Sequence, residues 1–163
     1  MNKVIIILIS VSILAVIAGA TLMSGESDDR LDIEANENTS VFIDKTSFDW
    51  GTIGLNDGNV EHAFDILNEG SEPLVLSDIA TSCMCTTATL ILGEDESPVF
   101  GMHTKSDYQL TVPSGETAKL KVVFDPAFHG PSGIGPISRT ITINTNDPER
   151  PELRFMLTAV VRK

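Results

Sequence analysis

The chain has 163 residues, room for one ordinary domain and a short appendage. Its formal charge of −12 makes a surface that repels phosphate backbones, which speaks against nucleic acid as a partner. A hydrophobic content of 42% suffices for a core and excludes wholesale disorder, and two cysteines are too few for a disulfide-stapled scaffold.

From Val4 to Leu22 the chain is almost continuous hydrocarbon, interrupted by Ser10, Ser12, Gly19 and Thr21 and free of charge. As a helix it reaches about 28 Å, close to the hydrocarbon thickness of a bilayer. Lys3 precedes the run, and Glu26, Asp28, Asp29 and Asp32 follow it. The basic end stays in the cytoplasm, so the remainder is expected outside. Residues 1–23 therefore read as a hydrophobic helix that is either a membrane anchor or a cleaved signal peptide, with Ala18-Gly19-Ala20 resembling a cleavage site. The two outcomes are a membrane-anchored domain facing away from the cytoplasm and a secreted or periplasmic one. A buried globular helix is disfavoured because the run has no polar face. Residues 24–39 are polar and acidic and read as a flexible, self-repelling linker. Asn38-Thr39-Ser40 fits a glycosylation sequon, relevant only in a host that glycosylates its secreted proteins.

Residues 40–163 read as the folded domain. Val41-Phe42-Ile43 predicts a short strand. Val60, His62, Phe64 and Ile66 share one face of a second, with Glu61 and Asp65 opposite. Pro73 to Leu76 opens a third strand and Thr87 to Leu92 a fourth. Gln109 to Val112 ends at the turn Pro113-Ser114-Gly115-Glu116, after which Leu120, Val122 and Phe124 alternate. Ile137 to Thr145 and Leu153 to Val161 complete the pattern. No window after residue 40 carries a helical period. Seven or eight short strands in this length predict an all-β antiparallel sandwich, preceded by the N-terminal hydrophobic helix.

Several segments, taken in order, resemble one family. They are Ser47-Phe48-Asp49-Trp50-Gly51, Val60-Glu61-His62-Ala63-Phe64, Asn68-Glu69-Gly70, Pro73-Leu74, Ser82-Cys83-Met84-Cys85-Thr86, Pro113-Ser114-Gly115-Glu116 and Asn146-Asp147-Pro148. The set is similar to the bacterial Ig-like "domain of unknown function 1573" family, related to the ASH/Hydin and PapD-like sandwiches, over roughly residues 41–162. The family's short Cys-Gly-Cys-Thr segment has Met84 at its middle position here. The resemblance implies a seven-stranded Ig-like fold in an extracytoplasmic protein, and implies no activity, so function rests on the site itself.

One cluster of reactive side chains stands out. Cys83 and Cys85 flank Met84, and on an extended strand residues i and i+2 face one side, so both thiols are expected together with Met84 opposite. Two thiolates on one metal can sit up to about 4.6 Å apart, within reach of such a pair. Met102 and His103 lie in the insertion 93–107 and His129 in the loop 125–136, and sandwich loops gather at the two ends. Cys83, Cys85, His103 and His129, with Met102 as a weaker donor, are therefore the candidate ligands of a soft metal ion. Thiolate and thioether donors favour copper(I), and two Cys with two His also suit zinc. Three plainer readings stand beside this one. The cysteines form a disulfide, which a flat strand strains by holding the Cα atoms about 6.6 Å apart. The thiols pack as small hydrophobes. The loop histidines cap backbone groups.

Other chemistry lacks support. No Lys or Arg lies within four residues of either cysteine to acidify it, so thiol–disulfide exchange has no visible basis in the sequence. The segment from Gly130 to Gly133 misses the nucleophile elbow because position 134 is Ile, and no phosphate-binding loop occurs. His62 reads as a core histidine, and Glu94-Asp95-Glu96 as solvated loop. The expectation is a non-enzymatic, membrane-tethered extracytoplasmic domain that binds a soft metal. The alternative is a cell-envelope interaction module that engages a protein partner by strand addition or through the apolar pair Val99-Phe100.

Overall fold

The computed structural model describes residues 33–104 and 106–163. The hydrophobic run at residues 1–23 and the first part of the acidic segment lie outside the described residues. Ten strands form: β1 (Val41–Phe42), β2 (Ser47–Gly54), β3 (Val60–Asn68), β4 (Leu74–Thr81), β5 (Thr86–Leu92), β6 (Asp95–Glu96), β7 (Leu110–Val112), β8 (Thr117–Phe124), β9 (Gly135–Thr145) and β10 (Glu152–Arg162). They pair into two five-stranded sheets, ordered β1-β3-β8-β5-β6 and β2-β10-β9-β4-β7.

The expected architecture is thereby corrected in three respects. The described residues form ten strands rather than seven or eight, because β2 and the two-residue β6 add to those the alternation marks. The described residues contain no α-helix, only a 3-10 turn at Gly130–Gly133, so none of them forms a helix long and apolar enough to cross a membrane; the hydrophobic helix expected at residues 1–23 falls outside them and has no support from them. The sandwich is also not wholly antiparallel, because β2 runs parallel to β10. The β2–β10 register shifts between Thr158 and Val160, where β2 carries one extra residue. Gly51 absorbs it at φ +69°, a left-handed conformation that a side chain disfavours, and its amide donates to Asp49 Oδ1 at 2.9 Å.

Alternation along the long strands sorts the side chains. On β10, Leu153, Phe155, Leu157, Ala159 and Val161 are buried, while the intervening Met156 is exposed. Phe155 meets Phe64 of β3 at 4.9 Å between ring centroids, joining the sheets across the core. Along the β2–β3 side an aromatic ladder closes the sandwich: Phe48 stacks on His62 at 3.6 Å, and His62 meets Phe64 edge-on at 4.6 Å.

Burial lowers the pKa of His62 below the ordinary histidine value. The folded state then binds this proton less readily than the unfolded chain does. The contribution of His62 to stability is therefore complete above the ordinary value and is lost as pH falls through it towards the lowered one. Urea midpoints should fall between pH 7 and pH 5, and His62→Phe should flatten that dependence.

At the end of the sandwich where β3 and β9 finish, the family-like segments act as fasteners. Asn68, fully buried, donates through Nδ2 to the carbonyls of Glu72 and Val112 and accepts from the Gly70 amide, each at 2.9 Å. Gly70 sits so close to the backbone of Asn38 to Ser40 that a Cβ would lie 2.5 Å from the Asn38 carbonyl oxygen. Asn146 accepts from the Val75 amide and donates to the Pro73 carbonyl, holding β4 to the β9–β10 turn. Asp147 accepts from the amides of Val41 and Glu149, both at 2.9 Å, and so ties β1 to the same turn. Asp147→Ala would leave the Val41 amide without its acceptor in a buried position. A loss of about 1–3 kcal/mol in chemical denaturation is expected.

Candidate metal centre

The opposite end of the sandwich carries the sulfur chemistry, and the local structure there differs from the extended strand expected. Ser82 to Cys85 form a turn that carries the chain from β4 in one sheet to β5 in the other, closed by the Thr86 amide donating to the Cys83 carbonyl at 3.1 Å. The Thr81 hydroxyl, with the carbonyls of Cys83 and Thr86 each at 3.0 Å, spans the turn from within. The Ser82 amide and hydroxyl bond the backbone of Thr140 on β9, and the Cys85 carbonyl accepts from the Asp125 amide after β8. These anchors reach both sheets, so the cysteines are held by the sandwich itself rather than by a free loop. Met84, at the tip, is 55% exposed.

The turn, not the pleat of a strand, brings the two sulfurs together, and the loop after β8 supplies a third donor. The ligand atoms of Cys83, Cys85 and His129 all lie within 4.8 Å of one another. Cys83 Sγ is 3.3 Å from His129 Nε2. His129 is positioned by the turn that precedes the 3-10 segment: the Ala127 amide donates to Asp125 Oδ1, the Gly130 amide to the Ala127 carbonyl, and Ser132 Oγ to the His129 carbonyl. The imidazole is exposed, Cys83 is partly buried and Cys85 is only 3% exposed, packed with Leu55, Phe124 and Val161.

His103 does not join the group: among the described residues the cluster is Cys83, Cys85 and His129. Phe100 pairs with Ala88 of β5, which directs the chain towards this end, but Met102 and His103 follow on an exposed turn. The same pairing corrects the reading of Val99-Phe100 as an exposed apolar pair. Phe100 is 1% exposed and lies beside Tyr108, and only Val99 faces solvent.

The sequence reading missed Arg139. Its Nε donates to Cys85 Sγ at 3.1 Å, its Nη1 to the Ser138 carbonyl, and its guanidinium lies 5.5 Å over the Phe124 ring. Arg139 stands in β9, 54 residues from Cys85, so no local motif announces it. Burial raises the Cys83 thiol. Hydrogen bonds with Cys85, His129 and the Cys85 backbone, together with the Arg139 charge, outweigh that effect and bring it down to about 7. Burial pushes Cys85 the other way, reinforced by its neighbour Cys83 and opposed by Thr86 and Arg139.

Fold and site together define an Ig-like β-sandwich with a Cys-Cys-His group at one end. Residues 41–95 match the model of the family described as "Protein of unknown function (DUF1573)", which bears out the resemblance over that part of the range in which the sequence carries it. A protein of unknown function from Porphyromonas gingivalis W83 has a similar structure, with 22% identity and a TM-score of 0.59 over 79% of this chain. The chain spans 50% of that protein's length. The ASH/PapD-like domain 7 of human CEP192 matches 85% of this chain and 96% of its own, at 18% identity and a TM-score of 0.50. At these identities the likeness concerns the fold. A comparison with curated proteins finds no match.

Proposed function

We propose that this domain binds a soft metal ion, copper(I) in preference to zinc, at Cys83, Cys85 and His129, and holds it rather than catalysing a reaction on it. The observation that carries the reading is the convergence of two thiols and one imidazole within 4.8 Å, at the end of a rigid sandwich. The spacing suits sulfurs that each lie about 2.3 Å from a common ion. Three donors among the described residues fall one short of the four of a structural zinc site, whereas copper(I), for which soft thiolates are also suited, is satisfied by two or three donors. Two thiolates and a neutral imidazole around copper(I) leave one net negative charge, and the Arg139 guanidinium lies against the Cys85 sulfur to offset it.

The hydrophobic run Val4–Leu22, with Lys3 before it and acidic residues after it, supports a place outside the cytoplasm. There, an envelope protein that delivers or takes the ion would meet exposed Met84 and Phe128, the residues that flank the ligands. The test is anaerobic titration of the reduced protein with copper(I) against a chromophoric chelator. Saturation at one equivalent is expected. A protein that leaves all copper(I) on the chelator overturns the reading.

A further inference from the structure

We propose that Cys83 and Cys85 also form a thiol–disulfide exchange couple, in which Cys83 attacks an accessible disulfide of another molecule and Cys85 resolves the product. This activity does not depend on metal binding. It is carried by the shape of the turn and by the unequal placement of the two sulfurs. A flat strand would hold the Cα atoms about 6.6 Å apart, at the edge of disulfide geometry, but Cys83 and Cys85 lie in the turn from Ser82 to Cys85, which is free of that constraint. The two sulfurs already lie within 4.8 Å of each other.

Their surroundings divide the labour. Cys83 is partly exposed and lies 3.3 Å from the solvent-facing imidazole of His129, the position of a sulfur that meets an external partner. Cys85 is buried beneath it and receives the Arg139 Nε–H at 3.1 Å, a donor that favours the anionic sulfur whenever it attacks or departs. No lysine or arginine near in sequence supplies that donor. β9 does so across the sandwich.

The reaction proceeds in two displacements. The Cys83 thiolate attacks one sulfur of a disulfide, a Cys83–sulfur bond forms, the external S–S bond breaks, and the first external thiolate leaves. Cys85 then gives up its proton, which the departing thiolate takes. The Cys85 thiolate attacks Cys83 Sγ, the Cys83–Cys85 bond forms and the second external thiolate leaves. The dithiol loses two electrons and the external disulfide gains them. The small ring makes the internal bond strained and reducible, so the couple runs in either direction. The oxidised chain lacks two of the three proposed metal donors, so exchange and metal binding exclude each other.

The experiment uses the reduced, metal-free 163-residue chain with chelator present and glutathione disulfide as the probe. Samples are quenched in acid and read by intact mass and peptide mapping. The wild type is expected to pass through a glutathione adduct on Cys83 to an internal Cys83–Cys85 disulfide. Cys85→Ala, which keeps a small apolar side chain at the buried position, should stop at the adduct. Cys83→Ser should react about tenfold more slowly or less, since its remaining thiol is buried. Far-UV circular dichroism confirms that each variant is folded, and the wild-type time course needs no variant. A wild type that gains no internal disulfide, or whose adduct maps to Cys85, overturns the proposal. So does a folded Cys83→Ser that reacts as fast as Cys85→Ala. With metal absent throughout, these outcomes leave the copper reading unaffected.

Discussion

Cys83→Ser is expected to weaken copper(I) binding by about 100-fold or more, because outer partners of metal ligands alone typically account for about 10–100-fold and a lost thiolate exceeds them. Serine keeps the size of the side chain but exchanges a soft, readily ionised donor for a hard one that stays protonated near neutral pH. Cys85→Ser should have an effect of the same order, and His129→Ala a smaller but clear one. Arg139→Gln, which retains a hydrogen-bond donor but removes the charge beside Cys85, should lower affinity by about 10–100-fold. The discriminating control is His103→Ala. His103 is exposed and outside the group within 4.8 Å, so its removal should leave affinity unchanged. Competition titration of the five variants decides the matter. Equal losses for His103→Ala and His129→Ala, or no loss for either cysteine, would show that the ligands are not these three.

The largest effect on stability is expected at Phe155. Its ring is fully buried at the middle of β10, opposite Ile141 of β9, and packs on Phe64 from the other sheet. Truncation to alanine removes the transfer free energy of the ring and leaves a cavity between two sheets that cannot close independently. A loss of about 3–5 kcal/mol follows. That is a large share of the roughly 5–15 kcal/mol that stabilises an ordinary domain. The neighbouring Met156→Ala should change stability by less than about 0.5 kcal/mol, since Met156 faces solvent at 46% exposure. Urea unfolding of the two variants checks the register directly: one residue of slip would exchange their effects.

The fasteners at the far end clarify what the family-like segments report. Asn68, Gly70, Asn146 and Asp147 are explained by hydrogen bonds and close backbone approach within the fold. Cys83 and Cys85 are the members of that set placed beside an exposed imidazole and a guanidinium.

Period-two alternation is a local property, and it made β3, β4, β5, β7, β8, β9 and β10 legible because each must present one face to a core. β2 was less visible: Phe48 and Trp50 alternate, but Gly51 interrupts the run with a bulge whose sense depends on parallel pairing to β10. The acidic pair of β6 carries no apolar signal, and its strand character comes from pairing with Ile91 and Leu92.

The candidate donors Cys83, Cys85 and His129 were readable from side-chain chemistry and from the tendency of sandwich loops to gather at the ends. Which of them meet was decided by tertiary structure. His103 and His129 are equivalent as sequence features, both loop histidines, yet only the loop after β8 delivers its imidazole to the turn between the sheets. Phe100 is buried because it pairs with Ala88, and Arg139 reaches Cys85 because β9 lies beside β4. Alternation and donor chemistry act over a few residues and are written in the chain. The joining of groups 46 and 54 residues apart depends on strand order and register, which no short segment contains.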